Sequence, residues 1–286
     1  MPSLVSGQLD EIAPGVRRLV ANNASYMTGP GTNTYLVGRE RCVVIDPGPD
    51  EAAHVERILR ETRNQVAAVL VTHTHRDHSP AAVVIAEATG AELLGRAPPG
   101  DGRQDLTFQP DRTLVDGDEI DIDGLRLRAL HTPGHASNHL CYLLEGTGLL
   151  FTGDHLMQGS TVVIAPPDGS MGDYLRSLRR LQQEPATRIA PGHGLTIEDA
   201  QAEIERIIGH RQQREAKVLE RLAQLQSADL DALVVRVYDD VDPRLHVLAK
   251  SSLLAHLLKL EEDGVVSGGD SGGWRVSEVG VTAKNA

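Results

Sequence analysis

Aromatic residues are scarce in this chain, and the marks of several protein classes are missing. Phe, Trp and Tyr make up only 3% of the 286 residues, so Val, Leu, Ile and Ala must build the core. No apolar run reaches the ~20 residues that a membrane-spanning helix needs. Residues 1–15 lack the basic-then-apolar pattern of a secretory signal. We therefore expect a cytoplasmic protein with no membrane partner.

Cysteine is also rare, and the charge is strongly negative. Cys42 and Cys141 stand in separate apolar, strand-like runs, which predicts buried, reduced thiols rather than a disulfide or a thiolate metal site. The formal net charge of −12 disfavours a protein that binds nucleic acid through general electrostatic attraction. However, divalent cations bound in a substrate cleft would add positive charge there, so the net charge of the chain does not describe that cleft.

Three histidines and one aspartate directly follow an apolar strand pattern at 66–71; they are His73, His75, Asp77 and His78. Side chains alternate in an extended segment, so the first three can face one side. A turn would bring His78 to the same cavity. This mixture of imidazole nitrogens and carboxylate oxygens is typical of a site for a zinc-like metal.

Three further candidate ligands each come just after a glycine at the end of another apolar strand pattern. They are His135, Asp154 and His193. Loops at strand ends are where rigid scaffolds usually display functional groups. Each residue alone could be structural, but together with the segment at 72–78 they predict a metal centre.

The pattern along the chain changes near residue 194. Before it, strand-like and helix-like segments alternate, which predicts sheets packed between helices. Ser79, followed by a proline, predicts a helix with a serine cap. Beyond it, the sequence predicts helices at 196–226, 230–238 and 245–262, then two short strands around a glycine-rich turn. Three helices and a hairpin resemble a winged-helix module.

The ordered motifs HxHxDH, PGH, GD and GH resemble those of the metallo-β-lactamase superfamily of metal-dependent hydrolases. This resemblance implies an α/β fold, a four-layer αβ/βα sandwich over residues 1–208, with a small winged-helix-like α domain over 209–286. It also implies a dinuclear centre with two Zn²⁺ or other divalent transition metals. The ligands that it implies are His73, His75 and His135 for the first ion, Asp77, His78 and His193 for the second, and Asp154 as the bridge.

Such a centre predicts hydrolysis. Two zinc ions about 3.5–4 Å apart can share a hydroxide whose pKa is lowered towards 7, and can stabilise negative charge on the substrate. We expect Asp77 to act as a catalytic residue by orienting this nucleophile. Metal-binding imidazoles also need partners that fix their rings. Our candidates for these supporting positions are Asp46, His139 and His155.

Differences between these motifs and those of particular superfamily branches indicate which branches the chain does not resemble. No cysteine stands in a motif and Asp154 is present, which argues against β-lactam hydrolysis as the main role. His75 stands where diiron flavoproteins of the superfamily have Glu, which favours zinc. Only 39 positions separate Asp154 from His193, so the cap of the larger nucleic-acid-processing enzymes does not fit.

The segments at 28–37 and 209–215, with the winged-helix-like end, resemble the lactamase-beta-2-like branch. That branch includes a single-strand-specific endoribonuclease and thioesterases that act on acyl-carrier or acyl-CoA-type substrates. We therefore expect a substrate that is single-stranded RNA or a small-molecule ester or thioester, with the loop at 159–169 lining the cleft. A glyoxalase II-like acyl-glutathione hydrolase is a weaker alternative, because its all-helical tail is not evident.

The C-terminal module leaves two questions open. A basic stripe, Arg211, Arg214, Lys217 and Arg221, could be a solvated helix face or a phosphate track that leads to the metals. The helix at 245–262 has few basic residues, so duplex DNA is disfavoured, and a structural or homodimer-forming role is favoured. A non-enzymatic DNA-binding regulator is the alternative from a different class.

Overall fold

Two mixed β-sheets form the centre of the computed structural model, which describes residues 4–122, 124–268 and 273–277. The first sheet has seven strands in sequential order: β1 Leu9–Ala13, β2 Val16–Val20, β3 Asn33–Val37, β4 Cys42–Ile45, β5 Val66–Leu70, β6 Glu92–Gly95 and β7 Arg112–Thr113. The second has the order β12-β11-β10-β9-β8: β8 Glu119–Ile122, β9 Leu125–His131, β10 Leu140–Leu144, β11 Leu149–Gly153 and β12 Arg188–Pro191.

The α-helices flank the sheets or follow them: α1 Ala52–Glu61, α2 Ala81–Thr89, α3 Met171–Leu181, α4 Ala200–Leu225, α5 Leu230–Val237 and α6 His246–Glu262. A 3₁₀ helix spans Pro243–Leu245, and a terminal antiparallel pair is formed by β13 Val266–Ser267 and β14 Arg275–Val276. Among the described residues, no helix combines the length and the apolar character that crossing a membrane would require.

Alternating side chains give each sheet two apolar faces. In β3, Tyr35 packs into the core between the sheets, whereas Leu36 packs towards α1 and α2. In β10, Tyr142 faces the same central core, whereas Leu143 packs against α3 and α4. The layers therefore run helix, sheet, sheet, helix. The predicted four-layer sandwich is confirmed.

The directions of the strands bring the functional loops to one edge. Strands β4 and β5 are parallel. In the second sheet, β9, β11 and β12 share one direction, because β10 is antiparallel to both its neighbours. Hydrogen bonds join the two sheets at this edge: Tyr142 donates to the carbonyl of Val71 at 2.7 Å, and Tyr35 donates to that of Pro191 at 2.7 Å.

Helix α4 belongs to two cores. Ile204 and Ile207 pack against the second sheet, whereas Val218 and Leu222 pack with Trp274 in the core of the C-terminal module. The predicted boundary between residues 208 and 209 falls within this continuous helix and stays a prediction. The glycine-rich turn at 269–272 lies outside the described residues.

The N-termini of helices α2 and α4 differ from the sequence prediction, because other groups occupy or cap these positions. Ser79 does not cap α2, because its hydroxyl donates to Asp105 at 2.7 Å and Pro80 occupies the cap position. The helix predicted from residue 196 begins at Ala200, because Asp199 caps it by accepting from the backbone N–H of Ala202.

The core of the C-terminal module predicts a large effect of one truncation. Leu222 is fully buried there, so Leu222→Ala should lower the free energy of unfolding by about 2–5 kcal/mol. Val235→Ala is the control, because Val235 is 56% exposed and its truncation should cost less than about 0.5 kcal/mol. Denaturant unfolding followed through Trp274 fluorescence measures both, and equal midpoints would contradict this packing.

Candidate metal centre

Three imidazole nitrogens converge at the end of β5. His73 Nε2 lies 2.9 Å from His75 Nδ1, which in turn lies 3.0 Å from His135 Nε2. A tetrahedral zinc ion with nitrogen ligands at 2.0–2.1 Å holds those nitrogens about 3.3 Å apart. The three rings therefore fit a single ion of this size.

A second group of donors lies beside the first. The Nε2 atom of His78 is 3.4 Å from both Asp77 Oδ2 and Asp154 Oδ1. The Nε2 atom of His193 lies 3.2 Å and 3.3 Å from the same two oxygens. His78 Nε2 and Asp154 Oδ1 are buried and have no hydrogen-bond partner among the described residues. A cation would satisfy these orphaned atoms, so the group fits a second ion.

Asp154 faces both groups. Its Oδ1 atom points to His78 and His193, whereas its Oδ2 atom lies 3.7 Å from His135 Nε2. This is the position that a bridging carboxylate needs. The structure thus brings all seven predicted ligand residues together, although their roles as ligands and the identity of the metal stay predictions.

Asp46 holds His78 in place. It is buried in the turn after β4, where its carboxylate accepts from the backbone N–H and the hydroxyl of Thr72, both at 2.7 Å. It also accepts from His78 Nδ1 at 2.9 Å, which leaves His78 Nε2 directed at the centre. Such a partner fixes both the tautomer and the orientation of a metal-binding imidazole. This geometry supports the predicted supporting role of Asp46.

The partners of two other imidazoles could not be read from the sequence. His135 Nδ1 donates to the carbonyl of Val163 at 2.8 Å, and His193 Nδ1 donates to that of Gly31 at 3.2 Å. Both acceptors are backbone atoms, so no residue type signals them. Gly192 was also missed: a Cβ there would lie only 2.7 Å from Asp154 Oδ1.

The two other supporting candidates form a buried layer beneath the centre. His139 stacks on His73 with ring centroids 5.1 Å apart, and its Nδ1 lies 3.0 Å from the hydroxyl of Thr132. His155 packs on the other side of His139 and against Tyr174. Within the described chain, neither ring nitrogen of His155 has a hydrogen-bond partner. This packing supports the predicted supporting role of His139, and His155, which directly follows Asp154 in the chain, packs against His139.

The pKa values of the imidazoles differ between the two groups. Burial, reinforced by neighbouring imidazoles, lowers the pKa of His73 well below 6.5 and that of His75 to about 3. Burial alone would also lower the pKa of His193, but the carboxylates of Asp154 and Asp77 outweigh it and raise this pKa to about 9. His73 and His75 therefore offer neutral lone pairs, and the second group lies among carboxylates that attract a cation.

A cavity of about 680 Å³ opens beside the centre. Predicted ligands, including Asp77 and His193, line this cavity together with residues of α4 and the C-terminal module. Ser160, Thr161 and Asp168 of the loop at 159–169 also line it. The prediction that this loop lines the cleft is confirmed.

The basic stripe on α4 is not a solvated face. Arg211 and Arg214 are only 2% and 8% exposed, because α5 and the loop after β11 cover them. Further along the helix, Lys217 pairs with Asp239, and Arg221 pairs with Glu220. The first of the two alternatives, a solvated helix face, is therefore wrong for Arg211 and Arg214.

The profile described as "Metallo-beta-lactamase superfamily" matches residues 27–193, and that of the "Beta-lactamase associated winged helix domain" matches residues 230–274. The chain belongs to the metallo-beta-lactamase superfamily, as its motifs predicted, and its C-terminal module is the associated winged-helix domain.

Relatives and solved structures resemble most of the chain. A "Beta-lactamase-like protein 2 homolog" of Drosophila melanogaster is 33% identical over 88% of this chain and 90% of its own length. An "Atrochrysone carboxyl ACP thioesterase" of Aspergillus fumigatus is 31% identical over 77% of this chain and 68% of its own length. A metallo-beta-lactamase family protein from Thermus thermophilus has the same fold, with a TM-score of 0.78, 23% identity and coverage of 93% of this chain and 100% of that chain.

Removal of one ligand should empty one metal position. We expect wild-type protein to bind about two divalent ions per chain and His73→Ala to bind about one, because the other two imidazoles of its group cannot complete the site. His246→Ala is the control, since His246 lies outside the centre. Elemental analysis with circular dichroism measures both metal content and folding. Two ions retained by His73→Ala would contradict the assignment.

Loss of the support under His78 should weaken metal binding without removing a ligand. Asp46→Asn should lower metal affinity by about 10–100-fold, because the amide cannot accept from Thr72 and His78 together as the carboxylate does. Asp50→Asn alters an exposed residue of the same loop and should leave affinity unchanged. Competition with a chromogenic chelator measures both variants. Equal affinities would show that Asp46 does not support the centre.

Proposed function

We propose that this protein is a zinc-dependent thioesterase that hydrolyses thioesters of small acyl groups. The cavity beside the metal centre carries this proposal. Its volume of about 680 Å³ lies in the range of pockets that enclose small molecules. The expected metal ligands form part of its wall, so a reacting carbonyl held in the cavity would lie at the centre.

The character of the cavity favours an acyl group over a polynucleotide. Apolar residues from both domains line it, among them Val162, Val163, Leu245, Leu248 and Ala249. A site for single-stranded nucleic acid typically combines an open basic groove with stacking aromatics. Here most of the basic stripe is neutralised by acids, and aromatics are scarce. Relatives named atrochrysone carboxyl ACP thioesterase support the same choice.

Other expected functions receive less support. Both lysines of α6 are paired with acids, Lys250 with Asp231 and Lys259 with Glu215, which disfavours duplex DNA. The winged-helix domain stands where a glyoxalase II-like enzyme would carry its glutathione-binding tail. A cytoplasmic location and a homodimer stay predictions from the sequence.

In the proposed reaction, the metal ions and Asp77 would have different roles. Divalent ions bound there would polarise the thioester carbonyl and lower the pKa of a water molecule. Asp77 is 30% exposed to the cavity and is held by His78 and His193, so it would orient the attacking water. The water oxygen bonds to the acyl carbon, the carbon–sulfur bond breaks, and the thiol leaves with a proton. The products are a carboxylate and a thiol, and the second proton of the water is released to solvent.

The zinc-loaded protein should release thiol from S-hexanoyl-N-acetylcysteamine. EDTA should abolish release and added zinc should restore it. Asp77→Asn should lower kcat/KM by at least about 10²-fold, because the amide orients the water poorly and binds metal weakly. Asp50→Asn, which alters an exposed side chain, should retain activity.

Thiol release can be followed with a thiol-reactive dye, and unstructured RNA is the competing substrate. Chelator-sensitive cleavage of that RNA without thiol release would replace the thioesterase proposal with the ribonuclease function. Activity that survives EDTA would argue against a metal-dependent reaction of either kind.

A further inference from the structure

Arg211 is a buried cation without an anionic partner. It is 2% exposed, and no carboxylate in the part of the chain that the structure describes lies within ion-pairing distance of it. Its Nη2 atom donates to the carbonyl of Val162 at 2.5 Å, whereas its Nε atom is buried and has no hydrogen-bond partner in the described ranges. Its guanidinium also lies 5.3 Å from the ring centre of Tyr174. Buried charges in proteins are usually paired, so this cation requires an explanation.

Arg214, one turn further along the same helix, is a buried arginine whose charge is paired with a carboxylate. It donates to both carboxylate oxygens of Asp240, at 2.7 Å and 2.9 Å, and to the carbonyl of Val237. Arg211 lacks any such carboxylate, although both arginines line the cavity. The difference indicates that the counter-ion of Arg211 comes from outside the chain.

Tyr238 offers a second unused donor in the same wall. Its hydroxyl is buried and has no hydrogen-bond partner within the part of the chain that is described. Its ring packs against the guanidinium of Arg214, 4.4 Å from the ring centre. Tyr238, Arg211 and the expected metal ligand Asp77 line one continuous cavity. A buried tyrosine hydroxyl usually finds a partner. An anion bound to Arg211 could supply one.

We propose that Arg211 and the hydroxyl of Tyr238 form an anion-binding subsite, and that the substrate is a thioester that carries a carboxylate or phosphate remote from its scissile bond. This inference rests on the proposed thioesterase function. A guanidinium binds carboxylate and phosphate oxygens through parallel, charge-assisted hydrogen bonds. The subsite would orient the substrate, while the apolar lining contacts its carbon chain.

Arg211 also has a structural role that the experiment must separate. It holds the carbonyl of Val162, and the next carbonyl, that of Val163, accepts from the expected ligand His135. A purely positioning role would slow hydrolysis of neutral and anionic substrates alike. An anion subsite would affect the anionic substrate selectively, so the ratio of the two rates distinguishes the roles.

Three substrates separate the sources of the anion. S-hexanoyl-N-acetylcysteamine is neutral, S-adipoyl-N-acetylcysteamine has a carboxylate at the end of its acyl chain, and hexanoyl-CoA has phosphates in its thiol part. We expect the zinc-loaded wild type to hydrolyse one of the two anionic thioesters with a kcat/KM at least about tenfold above that of the neutral one. The preferred substrate identifies whether the anion belongs to the acyl group or to the thiol.

The variants then test the residues. Arg211→Met should remove most of the preference, and Tyr238→Phe, which deletes only the hydroxyl, should reduce it less. Arg221→Gln on the same helix should keep it, because Arg221 lies outside the cavity and pairs with Glu220. If Arg211→Met fails to fold, a reduced preference of Tyr238→Phe for the anionic substrate would still support the subsite, and an unchanged preference would contradict it. An equal loss on neutral and anionic substrates, or no wild-type preference, would overturn the proposal.

A binding measurement separates this inference from the proposed function. The non-hydrolysed ligand that matches the preferred substrate, adipamate for the acyl carboxylate or coenzyme A for the phosphates, should bind the zinc-loaded wild type at least about tenfold more tightly than Arg211→Met in calorimetry. Arg211-dependent binding without hydrolysis of any thioester would refute the thioesterase and retain the subsite. Hydrolysis with Arg211-independent binding would refute the subsite alone.

Discussion

The site depends on hydrogen bonds that fix the ends of strands from two different sheets. Asp46 follows β4, and its carboxylate joins the start of the histidine segment after β5 to the ring of His78. Across the interface, the backbone N–H of Leu140 in β10 donates to the carbonyl of Thr72 at 2.7 Å. Because imidazole and carboxylate donors must converge to within tenths of an ångström, this rigid edge determines whether a metal centre can form.

The C-terminal module completes the cavity as well as packing against the sandwich. Helix α4 contributes to the core of the second sheet and to that of the winged-helix domain, so it fixes the position of one core relative to the other. Ser252 of α6 accepts from the backbone N–H of Ile164, in the loop whose Val163 supports His135. In the proposed function, the chemistry and the recognition of substrate would come from different domains that share one helix and one loop.

The sequence itself predicted sheets packed between helices and a metal centre, and the resemblance of its motifs implied the four-layer sandwich and the full ligand set. Alternation in β3 and β10 defines the two faces of each sheet, and His73, His75, Asp77 and His78 follow a single strand. The partners of His135 and His193 could not be predicted, because they are backbone carbonyls 28 and 162 residues away. The spacing of the stripe on α4 was correct, but only tertiary packing determined that Arg211 and Arg214 are buried.

Anomalous diffraction from crystals of the zinc-loaded protein tests the central claim most directly. The account predicts two peaks at the zinc edge, one among His73, His75 and His135 and one among Asp77, His78 and His193, with Asp154 reaching both. A map with no peak between these side chains, or with zinc held elsewhere on the molecule, would contradict it.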